Sequence, residues 1–286
     1  MHVTFCSLMR FAVVVCMLVP ALAQNERQQP ASEAELAGIT ARGRALAEYD
    51  TAVWHASEAF MAVTQGRGHE KVSLYVARKD GDAWEVVYGK LNSSGDKLLI
   101  ACVVRQTGAP HNLRVKQYDP VKEESGYYFF AAKALVQAWK DFNGESKDFK
   151  RENRPYRKAV LPADEGKFYV YVYPGMTDEK VWVLGSDIRY LVSANGATIL
   201  DRHRMHNSIL EFRASDEIKT TGLVHSAILD EVPEDTDVFL AMTFQPAVNH
   251  TVITKHFLYG IFPDGKAVFL MTMEAYKKIS PAKGPN

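Results

Sequence analysis

The pattern of the chain predicts an α+β protein: largely antiparallel sheet packed by one long N-terminal helix and a second, central helix. Three observations carry this. Apolar residues recur at helical spacing over residues 32–63, short period-two runs separated by turn residues dominate from residue 71 onward, and one further helical stretch interrupts them at 127–142.

Residues 1–23 read as an export signal, with Arg10 ahead of an apolar run at 11–19, then Pro20 and the small-residue ending Ala21-Leu22-Ala23. An apolar core of nine residues is too short to span a bilayer, so a mature chain starting at Gln24 is expected in the periplasm or secreted medium. Neither Cys6 nor Cys16 sits in a lipoprotein context. Residues 24–31 are polar and read as a loose leader, and 32–286 as one domain with a polar stretch at 143–156 suited to an exposed loop.

Ser32 and Glu35 form a capping box, in which each side chain satisfies a backbone N–H that a helix start leaves unpaired. Leu36, Ile39, Leu46, Tyr49, Val53, Ala56 and Phe60 then line one face of a helix to about Val63. Runs at 72–77 and 84–89 around Lys79-Asp80-Gly81-Asp82 make a hairpin, and 97–104 a third strand. A polar, Pro-containing connection leads to the helix at 127–142. Strands follow at 158–161, 167–173, 187–193, from Thr198 and at 222–229, and a hairpin at 255–262 and 266–271 closes the chain.

Removing the signal leaves 263 residues, enough for a substantial core, with 33 Lys and Arg against 34 Asp and Glu. That balance lacks the electrostatic signature of a nucleic-acid or anionic-membrane partner, and no second apolar segment reaches spanning length. Cys102 alone survives cleavage, within the apolar run 98–104, so it reads as a small buried hydrophobe and no intramolecular disulfide is open to it. There is no phosphate-binding loop and no Gly-x-Ser-x-Gly elbow. Trp54-His55 reads as helix packing, His250 and His256 flank the final hairpin, and Asn249-His250-Thr251 matters as a glycan acceptor only in a eukaryotic secretory route.

Chemistry concentrates between Asp201 and Asp237. On a strand, the odd separation of His203 and His206 sends them to opposite faces, so that pair alone makes no metal site. If residues 198–212 and 221–229 form a hairpin across the loop 213–220, with Phe212 opposite Thr221, then Ser208 lies opposite His225 and His206 opposite Ala227. His206, Ser208 and His225 then share a face, beside the acidic turn Asp230, Glu231, Glu234, Asp235, Asp237 around Pro233. Two imidazoles and a carboxylate are the ligand types of catalytic zinc, giving His206, His225 and Asp237 as candidate ligands and Glu231 or Glu234 as candidate general base.

The stretches Phe168-Tyr-Val-Tyr-Val-Tyr-Pro-Gly, Leu184-Gly-Ser-Asp-Ile-Arg-Tyr-Leu-Val-Ser and Val224-His225 through Val232-Pro-Glu-Asp-Thr-Asp-Val238 resemble a group of exported bacterial proteins of unassigned activity, which implies no particular reaction. In that group the segment at His225 is similar to His-x-His, where this chain has Ala227. There is also a similarity to the His-x-His, Ser, Asp signature of JAB/MPN metallopeptidases. Asp235 stands where that signature has Ser and Asp237 falls one residue early, and His206 would have to supply the second imidazole. Two functions are therefore expected: an exported α+β binding domain, with ligand and partner unspecified, or a metal-dependent hydrolase using zinc.

Overall fold

The computed structural model describes residues 27–279, apart from 66, 68, 109–111, 145–152 and 215–219. The segment expected to be an export signal, the first three residues of the expected leader and parts of the loops expected at 143–156 and 213–220 lie outside the described residues. The class is α+β, as the patterning predicts.

Helix α1 spans Glu33–Thr64 and starts at Ser32, whose side chain and that of Glu35 form the expected capping box. Strands β1 (Leu74–Asp80), β2 (Ala83–Leu91), β3 (Leu98–Thr107) and β4 (Leu113–Glu124) form an antiparallel meander. The polar connection expected after the third strand is thus β4: its exposed, charge-rich sequence alternates too weakly to be read as a strand. Helix α2 (Tyr127–Gly144) follows. A second sheet has the order β5-β6-β8-β9, from β5 (Tyr156–Pro162), β6 (Phe168–Pro174), β8 (Asp187–Val192) and β9 (Ile199–His206). Strand β7 (Val181–Leu184) pairs with β10 (Leu210–Arg213) as a separate ribbon. The last sheet is β11-β12-β13-β14, made of Leu223–Ser226, His250–Ile253, Phe257–Ile261 and Ala267–Thr272. Helix α3 (Asp235–Thr243) lies between β11 and β12 in sequence, and α4 (Met273–Ile279) follows β14.

The hairpin expected between 198–212 and 221–229 does not form. The first segment breaks at residues 207–209, its second half pairs with β7, and β11 pairs in parallel with β12. A parallel pair needs a long crossover, and α3 supplies it.

The core runs through α1. Its middle, with Leu46, Tyr49 and Phe60, packs between the first sheet (Val86, Cys102, Val104) and the second (Ala159, Tyr171, Tyr173). Its N-terminal end, with Leu36 and Ile39, packs on Val238 and Ala241 of α3 and on Val252 and Tyr259 of the last sheet. Helix α2 covers the other face of the first two sheets. Where α1 crosses α3, Gly43 lets the backbones touch: a Cβ there would lie 2.4 Å from Val238 Cβ and 2.6 Å from the Asp235 carbonyl oxygen. This close crossing sets the N-terminus of α3 against the second sheet.

Candidate metal centre

Four strands and one helix end deliver the site. The acidic run at 230–237 is not a solvated turn; it leads into the buried first turn of α3, where Glu234 to Asp237 are all shielded from solvent. Glu234 is the N-cap, and its N–H donates to Asp237 Oδ2 at 2.8 Å, satisfying one of the free donors of the helix start. Asp237 Oδ1 is left to face inward. Asp235 anchors the turn: its carboxylate accepts from Arg42 Nε at 3.0 Å, from the Tyr171 hydroxyl at 2.9 Å and from Arg189.

Strand β9 presents both of its histidines to this turn because its register slips. Asp187 stands opposite His206 and Arg189 opposite His203, so two residue steps on β8 match three on β9. The extra residue is a bulge, and it cancels the odd separation that would send the imidazoles to opposite faces. His203 Nε2 reaches the Glu234 carboxylate at 2.9 Å, and His206 Nε2 lies 3.2 Å from Asp237 Oδ1.

His225, on β11, comes in from the last sheet. Its Nε2 lies 3.4 Å from the same Asp237 Oδ1, and its ring centre is 5.5 Å from that of His206. Ligands held about 2.1 Å from a tetrahedral ion lie about 3.4 Å apart, which is the spacing of these pairs. His206 Nε2, His225 Nε2 and Asp237 Oδ1 are each buried without a hydrogen-bond partner. Buried polar atoms are rarely left so, and here the three converge on one point.

The outer nitrogens are held. His206 Nδ1 lies 3.0 Å from an Asp187 carboxylate oxygen, and His225 Nδ1 lies 2.8 Å from His250 Nε2. In each ring this leaves Nε2 as the inward atom, and for His206 the carboxylate, which can only accept, puts the proton on Nδ1 as in a metal-ligating histidine. The sequence does not point to Asp187, and it marks His250 only as a residue flanking the final hairpin. His250 opens a strand of only four residues, too short to show a period in sequence, and the pairing of Asp187 with His206 depends on the bulge.

Charge is coupled tightly across the cluster. Burial alone would lower the His206 pKa, but the carboxylates of Asp187 and Asp237 outweigh it and raise it well above the usual imidazole value. Burial works against the Asp237 carboxylate as well, and the neighbouring His206 and His225 imidazoles hold it well below the usual range. Burial lowers His225 and takes His250 down to about 4, so both are neutral at pH 7. A proton on His206 Nε2 and a divalent cation therefore compete for the same three atoms.

His206 and His225 also line a cleft of about 400 Å³ together with Ser208, Leu210, Val224 and Leu229. The turn at Gly185 (φ 104°) fixes one wall, since a Cβ there would lie 1.9 Å from the Ser208 carbonyl oxygen.

Neither expected general base belongs to the converging group of His206, His225 and Asp237. Glu231 turns away to His256, whose Nδ1 it meets at 2.8 Å and whose backbone N–H it accepts at 3.1 Å. Glu234 is buried against His203, with Asp230 close enough to make a second His/Asp/Glu group. Its carboxylate is already engaged by the imidazole. Comparison with protein-family models, with curated proteins and with solved structures finds no match.

Proposed function

We propose that this protein binds a divalent cation of the zinc class through His206, His225 and Asp237 and acts as a metal-dependent hydrolase. The observation that carries this is the convergence of three buried ligand atoms without hydrogen-bond partners, with Asp237 Oδ1 at tetrahedral spacing from both imidazole nitrogens and each imidazole braced from behind by Asp187 or His250. Three protein ligands rather than four is the pattern of a catalytic zinc site, and among the described residues His206 and His225 also line the neighbouring cleft. A cation held there would polarise a substrate oxygen and lower the pKa of water. The sequence of residues 1–23 supports action outside the cytoplasm.

One observation favours a second reading, an exported binding domain that captures ligands through its metal. Glu231 and Glu234 are hydrogen-bonded to His256 and His203 and not to the converging ligand atoms, and Glu211 on the cleft wall is engaged by Arg154 and Arg213. The two readings separate on a simple assay. Zinc-loaded protein is offered p-nitrophenyl acetate, bis(p-nitrophenyl) phosphate and a fluorogenic peptide, with His225→Ala as control. Turnover lost in the variant supports hydrolysis; stoichiometric zinc without turnover of any of the three supports the binding domain.

A further inference from the structure

The cleft beside the metal ligands is bounded by two strands that each end a sheet. Among the described residues, strand β11 ends the sheet β11-β12-β13-β14 and β10 is bonded only to β7. Backbone direction on β11 follows from its ladder. Leu223 N–H donates to the Asn249 carbonyl and Ala227 N–H to the Ile253 carbonyl, so residues 223, 225 and 227 face β12. In a parallel pair the alternate residues face the other way, which aims the N–H and C=O groups of Val224 and Ser226 out of the sheet. Both residues are exposed, Val224 at 58%. On β10 the bond from Ala214 N–H to the Lys180 carbonyl fixes the alternation, turning the polar backbone of Glu211 outward.

An open strand edge is a template for another strand, and proteins ordinarily blunt such edges with charge, Pro or a covering element. Here the edge of β11 carries Leu-Val-His-Ser, and beyond it stand the exposed apolar side chains of Ile228 (74%) and Leu229 (43%), facing Leu210 in the same cleft. Hydrogen-bonding backbone alternating with apolar contacts is complementary to an extended polypeptide and to few other ligands. His225, a metal ligand, lies between the two outward-facing residues.

We infer that the cleft takes an extended polypeptide segment with apolar side chains, added as a strand to the free edge of β11 so that its backbone passes beside His206 and His225. This rests on the proposed metal site for its chemistry but not for its geometry, since the strand edge exists with or without a cation.

The test uses a fluorescein-labelled, N-acetylated hexapeptide of alternating Val and Thr, and the same peptide N-methylated at alternate amides. Binding to the zinc-loaded protein is read by anisotropy, and zinc stoichiometry is measured separately by equilibrium dialysis. The unmethylated peptide is expected to bind about tenfold or more tightly than the methylated one. Ser226→Pro removes an outward N–H without touching the β12 ladder, and should produce a similar loss with zinc stoichiometry unchanged, while Ser226→Ala should bind as the parent does. Equal binding of the two peptides, or binding of neither, overturns the inference whatever the zinc result. Methylation-sensitive binding without zinc uptake leaves it standing and overturns the metal proposal instead. If Ser226→Pro fails to fold, the comparison of the two peptides on the parent protein decides.

Discussion

His225 Nδ1 lies 2.8 Å from His250 Nε2, a contact between imidazoles on adjacent parallel strands that turns His225 Nε2 inward toward Asp237. With both rings neutral, His225 Nδ1–H donating to His250 Nε2 is the arrangement that leaves the inner nitrogen of His225 as an acceptor. Asp187 plays the corresponding part for His206.

Removing either brace should weaken the site without abolishing it. His250→Ala and Asp187→Asn are each expected to raise the zinc dissociation constant about 10- to 100-fold, with about one zinc per chain still bound at saturation. Competition with a chromophoric chelator measures this. Unchanged affinity in both variants would show that the outer contacts are packing alone.

Zinc should also stabilise the native state, by about 1.4 kcal/mol for each tenfold rise in free metal above the dissociation constant. Thermal melts across a zinc series check this, and Asp237→Ala should remove the dependence. Proton competition at His206 sets the direction with pH, so the zinc effect should shrink as the solution is acidified.

The pair His203 and Glu234 gives a separate pH signature. Burial raises Glu234 to about 7, and the hydrogen bond to Glu234 raises His203. Both folded-state values lie above the unfolded ones, so the native pair holds a proton more tightly and its contribution to stability falls as pH rises through neutrality. Arg189, Asp235, Asp230 and His206 also bear on this pair, so the test is a difference. Glu234→Gln should melt with a flatter pH profile than the parent between about pH 5 and 8. A parallel profile would remove the pair from the account.

Cys102 is buried, and burial pushes its thiol up to about 11. A thiol-reactive dye should label it only on unfolding, and reductant should leave the melting temperature unchanged. Rapid labelling of the native protein would place the side chain at the surface.

Gly43→Ala tests the crossing that carries the site. With Val238 Cβ at 2.4 Å and a backbone oxygen at 2.6 Å from the added Cβ, α1 and α3 must part, at a cost of about 1–3 kcal/mol. Loss of zinc affinity along with stability is expected. Loss of stability alone would show that α3 keeps its place on the second sheet without α1.

Legibility in the sequence followed local signals. Helix α1 announces itself through Ser32, Glu35 and a long apolar stripe, and the β1–β2 hairpin through Asp80-Gly81. Strand β4 is charged at half of its positions and contains Pro120, and β7 and β12 have four residues each, too few to show a period. Helix α3 hides because it is buried on several faces and so has no stripe, while its acidic first turn mimics a solvated loop. The residues named from the sequence, His206, His225 and Asp237, do come together, but by a route the sequence did not disclose. A bulge in β9, invisible to strict alternation, and a parallel pairing through a crossover helix replace the supposed hairpin. The same nonlocal packing takes Glu231 and Glu234 to His256 and His203.

The central claim is tested most directly by the metal content of the purified protein after equilibration with zinc at pH 7.5 and exhaustive removal of free ion. About one zinc per chain is expected, absent from folded His206→Ala, His225→Ala and Asp237→Ala and retained by His203→Ala. Zinc-free parent protein, or zinc retained equally by all three ligand variants, would contradict it.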